Sequence, residues 1–148
     1  MFKPKPRAEL KSTEIGTHAE AEVISRLTAA GHVVLIPFGG AQHYDMVIED
    51  AEGNFWRIQC KKAWYRNGCV VFNSGRNEGG YSRNGRPWTR HSYRGHADYF
   101  AVYSKEVDKV YLVPVEDMGM HSVMLRVEEP KGPKGARSTI RWAADYEL

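Results

Sequence analysis

Three observations predict an α/β fold with a mixed central β-sheet. An amphipathic helical run lies near the start of the chain, several strand-like runs joined by short turns follow it, and more strands resume after a long interruption. Residues 1–12, with Pro4 and Pro6 among basic side chains, are expected to be a flexible basic arm. Residues 13–148 are expected to form a single domain, since 148 residues suffice for one buried core and not comfortably for two. Ser12 or Thr13 is a plausible N-cap. Ala19, Val23, Leu27 and Ala30 then fall four and three apart on one helix face, with Ile24 beside them, and Gly31 ends the helix.

The strands follow in order. His32 to Phe38 reads as the first, broken by Gly39-Gly40, and Tyr44 to Glu49 as the second. Glu52-Gly53-Asn54 supplies a tight turn into Phe55 to Ala63, giving a hairpin, and Val70 to Asn73 is expected to continue the same sheet. Side chains alternate along a strand, so Gln59 and Lys61 share one face while Trp56, Ile58 and Cys60 share the other, expected to be the core side.

Composition narrows the class. There are 21 Lys and Arg against 18 Asp and Glu, a net charge of +3, so charge distribution matters more than the total. No apolar run reaches membrane-spanning length and Met1 to Pro6 carries no signal-peptide pattern, so a soluble, intracellular, cytoplasmic protein without membrane partners is expected. Cys60 and Cys69 lie in strand-like runs and read as small buried side chains rather than a disulfide framework. The six histidines show no zinc-like spacing; His43 reads as a turn residue beside Asp45.

The chemistry is carried by Asp45, in Tyr44-Asp45-Met46-Val47-Ile48, and by Gln59-Cys60-Lys61, which begins fourteen positions later. A strand-end carboxylate, with a metal-binding oxygen and an ammonium on the neighbouring strand, can hold a divalent cation against a phosphodiester and position a water. Glu20 on the preceding helix supplies a second acid. Glu22 is its rival, and Glu20 is preferred for its place four residues after Gly16. Read alone, Asp45 is an ordinary turn acid and Lys61-Lys62 a solvated basic pair; their joint order and spacing point to a nuclease site.

These residues resemble the PD-(D/E)XK nuclease superfamily, and within it the small homing endonucleases associated with group I introns. Gly16-Thr17-His18-Ala19-Glu20 matches the first helix, Tyr44-Asp45 the first strand carboxylate, and Gln59-Cys60-Lys61 the D/E-x-K position. Gln59 departs from the usual Asp or Glu, in the manner of the intron-associated branch. Ala97 to Tyr103 and Val110 to Val115 are also similar to that branch, so the resemblance covers about residues 13 to 115 well and the tail more loosely. It implies a restriction-endonuclease-like core with a mixed central sheet flanked by helices. It also implies Mg2+-dependent, site-specific cleavage of double-stranded DNA to leave 5′-phosphates. Glu20, Asp45, Gln59 and Lys61 would then be catalytic, with the first three as metal ligands. Hard oxygen donors beside phosphate favour Mg2+, with Mn2+ as a substitute.

The interruption at residues 75–95 is expected to be a loop without regular pattern that binds DNA. Arg76, Arg83, Arg86, Arg90 and Arg94 stand there against Glu78 alone, more net positive charge than the whole chain carries. Tyr81, Trp88 and Tyr93 are interleaved with them, and several glycines let the backbone bend around a duplex. Lys131, Lys134, Arg137 and Arg141 form a smaller basic cluster, within a predicted hairpin whose last strand is Thr139 to Ala143. The hairpin either adds DNA contacts or only closes the sheet.

One such site cuts one strand, so a double-strand break calls for a homodimer or homotetramer. The strands Ala97 to Tyr103 and Lys109 to Val115, with aromatics read as exposed, are a candidate interface. Two alternatives share these features. A Holliday junction resolvase-like enzyme would select structure rather than sequence, and a DNA-binding module impaired at Gln59 would bind without cutting.

Overall fold

The computed structural model describes residues 11–78, 89–131 and 139–148. Helix α1 (Ser12–Ala29) opens on Lys11, whose backbone N–H donates to the Glu14 carboxylate at 2.6 Å. The cap therefore falls one residue before the predicted Ser12 and two before Thr13, because Glu14 reaches back to the first free donor. Lys11 and Ser12 thus belong to the helix start rather than to an arm, and residues 1–10 lie outside the described residues. The other end closes at Gly31, whose φ of +89° lets His32 N–H reach the Leu27 carbonyl at 3.0 Å. Ala19, Val23 and Leu27 are buried as predicted, while Ala30, at the C-cap, is exposed. Full burial of Val23 and Leu27 contributes about 1.5–3 kcal/mol each.

The central sheet contains β1 (Val33–Leu35), β2 (Met46–Glu49), β3 (Phe55–Lys62), β8 (Tyr99–Ser104) and β9 (Lys109–Pro114), in the spatial order β1-β2-β3-β8-β9. The strands omitted from that list are β4 (Trp64–Arg66), β5 (Cys69–Asn73), β6 (Arg76–Glu78), β7 (Thr89–His91) and β10 (Ser122–Arg126). Only β3 and β8 run parallel; the other central pairs are antiparallel, so the sheet is mixed. A parallel pair requires a long crossover. Here β4 to β7 lie within it.

Several boundaries differ from the sequence expectation. The first strand stops at Leu35 rather than Phe38, because Pro37 has no N–H to continue a ladder. Val70 to Asn73 does not continue the central sheet: β5 is the middle strand of a second sheet, β10-β5-β4. Asn67 and Gly68, both at positive φ (50° and 74°), form the tight turn that folds β5 back on β4. The 75–95 segment is not patternless, since β6 and β7 pair with Arg76 opposite His91 and Asn77 opposite Arg90. Thr139 to Ala143 forms no strand. A single bridge joins Trp142 to Arg126, and a 3-10 turn (Ala143–Tyr146) follows.

The central sheet separates two cores. On one face α1 packs Ala19, Val23 and Leu27 against Met46, Ile58, Cys60, Ala101 and Val110. On the other, Phe100, Val102, Tyr111 and Val113 meet Val70, Phe72, Val123 and Leu125 of the second sheet. Phe100, Tyr103 and Tyr111 are buried in these layers, so β8 and β9 do not present the exposed aromatics expected of an interface. Arg57 and Asp98 fix the parallel register. The Asp98 carboxylate accepts Arg57 N–H at 2.7 Å and the guanidinium at 2.8 Å, while Asp98 N–H donates to the Arg57 carbonyl at 2.8 Å. Gln59 consequently lies opposite Phe100, and Lys61 opposite Val102.

Candidate active site

Regular β2–β3 pairing begins at Met46 opposite Ile58. Asp45, one residue earlier, donates its N–H to the Ile58 carbonyl at 2.8 Å, and its side chain then takes the place of the next rung. Oδ2 accepts Cys60 N–H at 2.7 Å and the Gln59 amide at 2.5 Å. Asp45 and Gln59 are thus joined directly, fourteen residues apart in sequence. The Gln59 NH2 group also donates to the Cys60 carbonyl at 3.3 Å, which turns its amide oxygen away from both acceptors.

Lys61 projects from the same face of β3. Its ammonium donates to the Tyr93 hydroxyl at 3.1 Å and to the Gly75 carbonyl at 3.5 Å, and it lies 4.3 Å from the centre of the Tyr93 ring. Burial pulls Lys61 down to about 8; the Asp45 charge opposes that shift and Arg90 adds to it. Asp45 is shifted upward, chiefly by burial, against the opposing effects of Cys60 N–H, Lys61 and Gln59. Glu20 is also raised, by burial and then by the charge of Asp45. The Cys60 thiol is pushed up by burial and then by Asp45 and Glu20, so both acids act on this end of β3. Glu22 is engaged elsewhere, 3.5 Å from Arg26 and 3.6 Å from His18.

The donor set fits a divalent cation. Glu20 feels the charge of Asp45, the Gln59 side chain meets Asp45 through its amide NH2, and Asp45 Oδ1 accepts no hydrogen bond among the described residues. Hard oxygen donors of this kind suit Mg2+ or Mn2+.

The residues expected to bind DNA divide sharply. Tyr93 is only 8% exposed and packs edge-on against Phe100, so the expectation that it faces a duplex is corrected: its ring and hydroxyl turn inward to Lys61. Arg94 donates to the Glu116 carbonyl at 2.7 Å and lies 3.7 Å from the Glu116 carboxylate. Arg90, on β7, is exposed, and Arg76, on β6, is half-buried. Arg83, Arg86, Trp88, Lys134 and Arg137 lie outside the described residues, as does Tyr81. Sequence reading missed Tyr93 and Gly75 as the partners of Lys61, and Asp98 as the residue that sets register. The alternation of Arg57, Gln59 and Lys61 on one face of β3 was the available signal, but their partners come from distant segments.

The fold, a mixed central sheet with helix α1 packed on it, is that of a nuclease core. Residues 10–148 match the family model for PD-(D/E)XK endonucleases, and the chain belongs to that family. Among solved structures, that of a bacterial homing endonuclease, I-Ssp6803I, aligns with a TM-score of 0.70. The two are 28% identical, over 93% of this chain and 89% of the other. No curated protein matches the sequence. Among the described residues, no helix is long and apolar enough to cross a membrane.

Proposed function

We propose that this endonuclease is a Mg2+-dependent, site-specific enzyme of intron-homing type that cuts double-stranded DNA, leaves 5′-phosphates and works as a homodimer or homotetramer. The observation that carries the reading is the Asp45–Gln59 hydrogen bond beside the half-buried ammonium of Lys61. The likeness to a homing endonuclease favours this reading over a junction resolvase.

Glu20, Asp45 and, once its amide turns over to exchange NH2 for oxygen, Gln59 would hold the cation. Once bound, a divalent cation polarises the phosphodiester and lowers the pKa of water. The amide contributes no charge, so binding should be weaker than at a site with Glu in the same position. Lys61, at about 8, carries its proton at neutral pH. An ammonium has three donors, and Tyr93 and Gly75 accept from two. The third is available for a nonbridging phosphate oxygen or the attacking water, stabilising the charge that builds up as the water oxygen bonds to phosphorus. The P–O3′ bond breaks, the 3′-oxygen takes up a proton, and the phosphate stays on the 5′ end.

The test is cleavage of supercoiled plasmids carrying a randomised insert, with Mg2+ and with EDTA, followed by sequencing of the ends. Discrete double-strand cuts at one family of long related sites, seen only with Mg2+, are expected. Resolution of four-way junctions without cutting of linear sites would replace this reading with the resolvase one. Binding without cutting would make the protein an impaired module.

A further inference from the structure

Phe38 is 103% exposed and Ile36 62% exposed, and both stand in the segment between two neighbouring strands of the central sheet. That segment ends on Asp45. Leu35 pairs with Val47, two residues beyond Asp45, so the chain leaves β1 at the same end of the sheet that carries the acid. Gly39, at φ +86°, turns the backbone just after Phe38. His43 then anchors the returning arm by packing edge-on against His96, with ring centres 4.8 Å apart. No charged residue occurs from Val33 to Tyr44. The segment is therefore an uncharged, aromatic-tipped lip, held at both ends, beside the acid that would meet the scissile phosphate.

We propose that Phe38, supported by Ile36, is a wedge that enters a base step of duplex DNA next to the cut. This rests on the reading of the site as a DNA endonuclease. A phosphodiester delivered to Asp45 brings base pairs over the lip. Apolar side chains at such positions partly unstack a step and kink the duplex. An uncharged lip accepts bases without repelling the phosphates on either side, and aromatic surface left exposed at Phe38 gains cover from the bases. The wedge makes some sequence preference a matter of how readily a step opens, with pyrimidine–purine steps favoured.

The experiment uses the duplex recovered from plasmid cleavage, with 2-aminopurine placed in turn at each step flanking the cut and Ca2+ replacing Mg2+ to hold it intact. The parent should brighten one step on binding. Phe38→Ala should abolish that signal and weaken binding about tenfold, the scale of losing one aromatic–base stack. Phe38→Trp should retain both. Since Phe38 is wholly exposed, the variants should share the parent's melting temperature, which checks that they fold. Parent-like binding and cutting by Phe38→Ala would overturn the wedge and leave the nuclease reading intact. A change in sedimentation without loss of the 2-aminopurine signal would overturn it in favour of a contact between copies. Failure of the parent to bind or cut any duplex would overturn both readings.

Discussion

The ammonium of Lys61 lies 3.1 Å from the hydroxyl of Tyr93 and 4.3 Å from the centre of its ring. One aromatic residue therefore both accepts a hydrogen bond from Lys61 and offers it a π face, and β3 can hold a half-buried charge at this point. Tyr93→Phe keeps the ring and removes the acceptor. Single-turnover cleavage by Tyr93→Phe should fall by about tenfold, the scale of one lost hydrogen bond to a charged group, with DNA affinity unchanged. Tyr93→Ala should instead lower stability by about 3–5 kcal/mol, because it empties a core position; urea unfolding distinguishes the two effects.

Gln59→Glu replaces a donor to Asp45 with a second carboxylate. Without metal the two acids repel, and the melting temperature in EDTA should fall by several degrees, in line with a loss of about 1–3 kcal/mol. The same change strengthens the donor set. Mg2+ should therefore raise the melting temperature of Gln59→Glu more than that of the parent.

Lys61 makes stability depend on pH in a defined direction. Its folded value of about 8 is below its ordinary 10.5, so the unfolded chain binds more protons between those values. Stability in EDTA should therefore rise with pH across that window, and the full burial penalty is present below about 8. Lys61→Met should flatten this part of the curve, as read from urea midpoints against pH.

Two glycines predict opposite outcomes. A Cβ at Gly75 would lie 2.5 Å from the Met120 carbonyl oxygen, a backbone atom, so Gly75→Ala should cost about 1–3 kcal/mol. It should also disturb Lys61, which donates to the Gly75 carbonyl. Gly16, within α1, has open space around its Cβ position, and Gly16→Ala should stabilise by about 0.5–1 kcal/mol. Thermal melts of both variants check the contrast.

The helix, the β2–β3 hairpin and the mixed sheet were legible because local patterns specify them. The Ala19–Val23–Leu27 stripe, the glycine turn at Gly53 and the alternation along Phe55–Lys62 need no distant information. The second sheet was not legible. All four residues from Cys69 to Phe72 are buried, a pattern that marks a covered strand without saying which sheet contains it. Tyr93 was misread for a related reason. Its neighbours Arg90 and Arg94 are exposed, and only the fold reveals that it turns inward to a lysine thirty-two residues away. Asp45 and Gln59 were read as partners from spacing, but the carboxylate's capture of Cys60 N–H depends on where β2 pairing begins.

On the proposed reading, Asp45 and Lys61 carry the chemistry while other residues carry the binding. The most direct measurement is cleavage of the recovered target with Mg2+ by the parent, Asp45→Ala and Lys61→Ala, alongside their affinities for the same duplex in Ca2+. Loss of cutting by both variants, with affinities within a few-fold of the parent's, is the predicted result. Parent-like cutting by Asp45→Ala would contradict the assignment of the site.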